Sequence, residues 1–375
     1  MNYTEDLQSL ADADNLRTLP GPVPEGMINL SSNDYLGLSQ RGDLWQAFAD
    51  GQPLDASMMS ACSSRLLTGD HRHYAALEQT LCRLFGREAA LVYPSGYHTN
   101  IGILPALTDS RDVIFADKLV HASIIDGLRL SQATMIRFAH NDCDHLERLL
   151  QRHRHLYANA FIVTESIFSM DGDIADLRRL ADLKRRFDAY LYVDEAHAFG
   201  VRGECGLGIA EEQGATADID LLVATFGKAV ASMGAFVSCS DLLRRYLVNH
   251  SRSMIFTTGL PPVCVAWTRF VVERLPGLTA ERRRLRAVSE ALARKAGTQC
   301  TSHIVPLLTG TNASAVEAAA RLRAQGFYVL PIRYPTVPQG KARLRFSLTA
   351  AIAEADIERM DFAGIGRPEA VDISD

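Results

Sequence analysis

The stretch LYVDEAHAFG, residues 191–200, opens on apolar, β-prone side chains and then turns abruptly polar. Residues 190–193 read as a short buried strand, with Asp194 and His197 set immediately beyond its end. The same arrangement recurs along the chain. LLVATFGK (221–228) puts Thr225 and Lys228 after another apolar run, and TESIFSMDGD (164–173) puts Ser169, Asp171 and Asp173 after a third. LVYPSGYHTN (91–100) sets Ser95, Gly96 and Tyr97 between a strand and the start of a helix.

Working outward, strand-like runs at 89–93, 113–116, 135–138, 161–164, 190–193 and 221–224 alternate with amphipathic stretches. The latter follow Ser95, begin near Ala122, cover DCDHLERLLQR (142–152) and span 177–187. Short buried strands interleaved with helices predict an α/β domain with a mostly parallel sheet. Beyond about residue 250 the pattern changes to long helices over 262–296, a strand near 303–308, a helix over 314–325 and a strand near 343–349. This predicts a smaller α+β domain. Residues 1–26 read as a short helix and a Pro/Gly turn. The expected organisation is an N-terminal arm over 1–40, a large domain over 41–250 and a small C-terminal domain over 251–375.

The 375 residues, 47% hydrophobic and 22% charged, suffice for a sizeable core. With a formal charge of -5 and no long basic run, nothing favours nucleic acid. Arg282, Arg283, Arg284 and Arg286 read as a solvated helix face, and His71 and His73, flanking Arg72, as surface residues and not as a metal pair. No apolar run reaches the roughly 18 residues of a membrane span, and MNYTEDLQSL lacks a signal pattern. Seven scattered cysteines without a CxxC pair suggest neither a disulfide framework nor a zinc site. The expected location is the cytoplasm, with reduced thiols.

In a parallel sheet, ligands bind beyond the carboxyl ends of the strands, where these polar residues fall. Singly, each has an ordinary explanation. An Asp at a strand end caps a helix, a Lys in a Phe-Gly-Lys turn is solvated, and Ser-Gly-Tyr makes a tight turn. Together they match the needs of pyridoxal phosphate (PLP). That cofactor requires a lysine for a Schiff base, a carboxylate against its pyridine nitrogen, a phosphate cradle at a helix N-terminus and a flat ring to stack on it. Gly96 and Tyr97, His121, Asp194 and Lys228 supply these parts in chain order.

SSNDYLGL (31–38), DKLVHASIIDG (117–127), FSMDGD (168–173), VDEAHAFG (193–200), ATFGK (224–228) and the Pro-Pro of FTTGLPP (256–262) resemble the motifs of the α-oxoamine synthases. These are PLP enzymes of fold-type I that join an amino acid to an acyl thioester. The resemblance runs from about Arg17 to about Thr349. It implies a seven-stranded, mostly parallel sheet in the large domain, and a homodimer with shared sites. Lys228 would carry the cofactor and remove the amino acid's Cα proton. Asp194 would face the pyridine nitrogen, His197 the ring's phenolic oxygen, and His121 would stack on the ring beside the substrate. Gly96, Tyr97 and Thr225 would hold the phosphate, with Thr257 or Thr258 reaching the neighbouring subunit's phosphate and Ser169 close to the ring. Arg345 and Asn33 would bind the substrate carboxylate, and Arg17 and Thr336 would line the acyl channel.

Within the family, RFAHND (137–142), IRYPTVPQGKARLRFSLTAA (332–351) and LRTLP (16–20) are most similar to the branch that condenses L-alanine with a pimeloyl thioester in biotin synthesis, releasing carbon dioxide and the thiol. The carrier would be coenzyme A or acyl-carrier protein. Glycine-using relatives, such as 2-amino-3-ketobutyrate CoA ligase, and synthases of signalling aminoketones or sphingoid bases share the cofactor residues. A non-catalytic protein on this fold would be expected to lack Lys228 or Asp194. One stretch departs from the family pattern. Where many members have a glycine-rich GSGGS-like segment, this chain has Ser60-Ala61-Cys62-Ser63-Ser64, so any positive φ there is costlier. Cys62 reads as a small packing residue.

Overall fold

The structure, a computed structural model, describes residues 2–365. By internal packing it divides into two units. One comprises Leu36–Phe168 and Asp173–Arg282; the other gathers the chain up to Tyr35, the turn Ser169–Gly172 and the chain from Arg283 onward.

The larger unit is built on seven strands: β1 (Ala89–Tyr93), β2 (Val113–Asp117), β3 (Thr134–Phe138), β4 (Ala160–Glu165), β5 (Tyr190–Asp194), β6 (Leu221–Thr225) and β7 (Ala235–Cys239). Their order is β1-β7-β6-β5-β4-β2-β3, and only β7 runs against its neighbours. The expected seven-stranded, mostly parallel sheet is present. β1, β2, β4 and β7 are buried at every position, as continuous apolar runs require. β7 itself carries no separate mark in the sequence reading.

Six helices of this unit matter for the site: α1 (Arg72–Phe85), α2 (Gly96–Leu107), α3 (Ala122–Leu130), α4 (Cys143–His153), α5 (Leu177–Arg186) and α6 (Asp241–His250). Ser95, His121, Asp142, Asp176 and Ser240 cap α2 to α6 by accepting a backbone N–H of the first turn. The caps of α2 and α3 follow β1 and β2 directly, so they sit at the carboxyl edge of the sheet. α2 and α3 cross closely at Gly127, where a Cβ would fall 2.4 Å from the Asn100 carbonyl oxygen.

One face of the sheet buries Leu91, Ile114, Phe161, Val163, Tyr192 and Val223 against Ile103, Ile124 and Leu128 of α2 and α3. Side chains alternate along a strand, so Glu165, Asp194 and Thr225 lie on that same face, two residues beyond Val163, Tyr192 and Val223. The core thus aims three polar side chains at one end of the sheet.

A seventh helix, α7 (Pro262–Val272), packs on α1 and belongs with this unit. The division after Arg282 therefore lies beyond the expected boundary near residue 250 and takes α7 into the larger unit. Arg282 is a correction to the solvated-face reading. It is buried, and its guanidinium donates to the carbonyls of Leu275 (2.7 Å) and Glu204 (2.6 Å), which meet its charge without solvent.

The other unit has β8 (Ile304–Gly310), β9 (Pro331–Ile332) and β10 (Ala342–Ser347) in the antiparallel order β9-β10-β8, with helix α8 (Asn312–Ala324) packed on them. The arm joins it through Ile28–Asn29, which pairs in parallel with Phe327–Tyr328. Among the described residues, no helix is long and apolar enough to cross a membrane.

Candidate active site

At the carboxyl edge of the larger unit's sheet, the Asp194 carboxylate is buried. Its Oδ2 accepts from Asn100 Nδ2 at 3.0 Å, and its Oδ1 from the Ala196 N–H at 2.9 Å. Two donors to a carboxylate hold it as an acceptor in one orientation. The turn after β5 carries His197, whose Nε2 lies 2.7 Å from Lys228 Nζ. Lys228 sits in the turn after β6. Thr225 Oγ1 shapes that turn, accepting from the Gly227 N–H (3.2 Å) and donating to the Gly234 carbonyl (3.0 Å).

Gly96 is the first residue of α2, and a Cβ built there would touch Thr225 at 3.7 Å. Two of the expected phosphate-binding residues, Gly96 and Thr225, are thus neighbours, with the N–H groups that open α2 beside them. The neighbouring Tyr97 hydroxyl donates to Asp126 Oδ2 at 2.9 Å. Thr258 pairs with Ser64 in a short antiparallel bridge, and Thr257 lines a narrow cleft with Arg65, Tyr74 and Gly259.

His121 caps α3. Its Nδ1 accepts from the Ser123 N–H at 3.2 Å and lies 2.7 Å from Ser123 Oγ. Its own backbone N–H donates to Glu165 Oε1. The residue is exposed overall, yet desolvation of its ring holds the imidazole below its ordinary pKa, with Lys228 adding to this and Asp194 opposing it. Glu165 is buried at the end of β4, paired in register with Asp194. Burial pushes its carboxyl well above the ordinary range, and the Asp194 charge adds to the shift.

In the other unit, Arg345 donates to the Ser169 carbonyl and lies 3.5 Å from Asn33 Oδ1. Asn33 Oδ1 also accepts from Tyr35 (3.0 Å) and Ser347 (3.2 Å). Arg17 donates to Thr336 Oγ1 at 2.8 Å across 319 residues of chain. Four of the five expected substrate-binding residues therefore fall into two hydrogen-bonded pairs, and the fifth, His121, lies in the larger unit. Arg343, ion-paired with Asp171 at 2.5 Å, was not singled out in the sequence.

Two readings of single residues are corrected. Cys62 is exposed and adopts φ 55°, the left-handed conformation that glycine would take without strain. His71 is partly buried, stacked on Tyr74 at 4.4 Å with its Nε2 3.1 Å from the Leu260 carbonyl oxygen. Asn100, Ser123 and Glu165 also went unmarked. Each lies inside a quoted motif, but nothing local announces that 23 residues separate Asn100 from Ser123 and 94 separate it from Asp194.

A buried carboxylate, a lysine amine on an imidazole, and a helix N-terminus opening beside a threonine hydroxyl fit PLP. The family model for aminotransferase class I and II matches residues 25–360. The chain belongs to that family. Like other class I and II aminotransferase relatives, it is a PLP-dependent enzyme, a C-acyltransferase by its kinship. It is 49% identical over 377 residues to the 8-amino-7-oxononanoate synthase of Haemophilus ducreyi, covering 95% of this chain and 97% of that one. Among solved structures it resembles a PLP-bound serine palmitoyltransferase variant from S. paucimobilis, with TM-score 0.86, 28% identity and coverage of 95% and 94%. It also resembles an 8-amino-7-oxononanoate synthase from Francisella tularensis, with TM-score 0.75, 28% identity and coverage of 90% and 96%. The fold is thus that of the fold-type I PLP transferases.

Proposed function

We propose that the protein condenses L-alanine with a pimeloyl thioester, of coenzyme A or acyl-carrier protein, to give 8-amino-7-oxononanoate, carbon dioxide and the free thiol in biotin synthesis. The observation that carries this reading is the convergence of Lys228, His197, Asp194 and His121 at one sheet edge, in a chain 49% identical to a synthase of that name. When bound, PLP supplies an electron sink for a carbanion at the amino acid's Cα.

The residues divide the remaining tasks. Lys228 would hold the cofactor through Nζ, and the same amine would take the Cα proton. The neighbouring imidazole of His197 orients that amine and hydrogen-bonds the cofactor's phenolic oxygen. Asp194, held by two donors, keeps a proton on the pyridine nitrogen. Gly96, Tyr97 and Thr225 bind phosphate through the start of α2 and a hydroxyl. His121 would stack on the cofactor ring, and Ser169 would serve it as a further cofactor contact. Arg345 offers its planar fork to the substrate carboxylate with Asn33 beside it. Arg17 and Thr336 contact the acyl chain. The active species is a homodimer in the cytoplasm, in which Thr257 and Thr258 serve the partner's phosphate.

A second reading has support of its own: the serine palmitoyltransferase likeness scores above that to the synthase from Francisella tularensis. One experiment separates them. The PLP-loaded protein is given L-alanine, glycine and L-serine in competition, with pimeloyl and longer acyl thioesters, and products are weighed by mass spectrometry. Dominance of 8-amino-7-oxononanoate is expected. A product built from glycine or L-serine as the main species refutes the substrate assignment.

A further inference from the structure

We propose that Ser123 and Asn100 are positioning residues that fix the proton of the His121 imidazole on Nε2 and tie that ring to Asp194. The proposal rests on the reading above that PLP binds at this edge of the sheet.

The argument starts from a donor that cannot be anything else. A backbone N–H only donates, so His121 Nδ1, which accepts from the Ser123 N–H at 3.2 Å, carries no proton. The ring is assigned as the neutral Nε2–H form from this bond. Ser123 Oγ, at 2.7 Å, gives Nδ1 a second donor. The hydroxyl is turned that way because it accepts from Asn100 Nδ2 at 2.9 Å. The other hydrogen of the same amide nitrogen goes to Asp194 Oδ2 at 3.0 Å. Asn100 Oδ1 accepts from the Tyr192 hydroxyl, and flipping the amide would set its oxygen against the acceptor-only Asp194 carboxylate. Asn100, Ser123, Tyr192 and Asp194 are all buried, where an unmade hydrogen bond is costly. Gly127 lets α3 press on the Asn100 carbonyl and holds the amide's root in place.

The charged groups around the ring are Asp194, Asp126 and Lys228, with Glu165 gripping the His121 N–H. A neutral imidazole stacked on the cofactor adds no positive charge beside a pyridine nitrogen that Asp194 keeps protonated. An imidazolium there would repel it. The relay thus serves both ends: Asp194 is oriented, and His121 is kept neutral with its single N–H on Nε2.

The test uses the PLP-loaded enzyme with ¹⁵N-labelled histidine. NMR should show His121 as the Nε2–H tautomer through the neutral range. In Ser123→Ala the residue-123 N–H still donates to Nδ1 but the hydroxyl donor is lost, so the ring should drift toward a mixed form and turnover should fall about tenfold, the worth of one such hydrogen bond, with little change in amino-acid KM. Ser123→Thr, which keeps a hydroxyl, should restore both. Asn100→Ala should lower turnover about a hundredfold, having lost both relay bonds, to Ser123 and Asp194, and also move the pH midpoint of the bound cofactor's visible absorption. Acting through one relay, the double variant should be no worse than Asn100→Ala alone. Three results would each overturn the proposal: an Nδ1–H tautomer in the unaltered protein, no change in Ser123→Ala, or losses that multiply in the double variant. The tautomer and absorption readouts need no substrate. A wrong amino acid or thioester would therefore fail the product assay and leave these intact.

Discussion

At Lys228 the chain commits a long, flexible amine to a turn fixed on one side by Thr225 and closed on the other by the Ala231 N–H donating to the Lys228 carbonyl at 2.9 Å. The turn survives loss of the amine. Lys228→Ala should fold, still bind PLP through the proposed phosphate contacts and Asp194, and lose turnover by at least about a thousandfold, because the proposed nucleophile and base is gone. Borohydride should no longer trap the cofactor on the protein, and near-normal turnover would refute the assignment. The paired carboxyls of Glu165 and Asp194 make a sharper contrast. Burial holds Glu165 toward its protonated form, so Glu165→Gln replaces like with like and still accepts the His121 N–H. Turnover within about threefold of the parent is expected, the effect of a change well under one hydrogen bond. Asp194→Asn has the same shape but no charge to offer a pyridine nitrogen, and should cost about a hundredfold or more in turnover. Equal effects of the two substitutions would show that the roles are wrongly divided.

Between elements, the ends of β2, β3 and β4 are joined by one ring. His140 Nδ1 lies 2.9 Å from Asp117 Oδ1 and its Nε2 2.8 Å from Asp173 Oδ2, with the ring edge against Phe168 at 4.4 Å. Burial alone would lower its pKa, but hydrogen bonds to Asp117 and Asp173, and their charges, raise it to about 10. The sign follows from linkage: a histidine raised in the folded state stabilises fully below its unfolded pKa, roughly 6.5, and loses that contribution as pH rises through about 10. His140→Gln should therefore lower stability at neutral pH by about 2 kcal/mol, the cost of a partly solvated double ion pair. Denaturation midpoints of parent and variant should converge as pH climbs toward 10; a constant gap would be the contrary result. The α2–α3 crossing gives a second prediction at this scale. Gly127→Ala drives a methyl into the Asn100 carbonyl, and should cost about 2 kcal/mol or more in thermal unfolding while also lowering PLP occupancy.

For the molecule as a whole, the larger unit leaves Met59, Leu67 and Phe256 between 67% and 77% exposed, apolar surface of the kind a second copy would cover. Light scattering should give a mass twice 41.2 kDa at micromolar concentration, and a fully active monomer would remove the shared-site proposal for Thr257 and Thr258. Most of the sheet was legible because buried parallel strands are short apolar runs that end in polar residues, which is also why Asp194, His197 and Lys228 stood out as candidates. The antiparallel strand β7 was not marked, since nothing in Ala235–Cys239 alone reveals that it inserts between β1 and β6. Arg282 and Cys62 were misread because burial and backbone torsion depend on neighbours distant in sequence. Local chemistry, then, is carried by residue type and spacing, which single out the lysine, the carboxylate and the helix start proposed for the cofactor. Folding decided what those residues touch. The network that holds Asp194 and His121 runs through Asn100 and Ser123, on separate helices. Side chains so placed become neighbours only when the helices pack, so no local pattern in the chain encodes their contact.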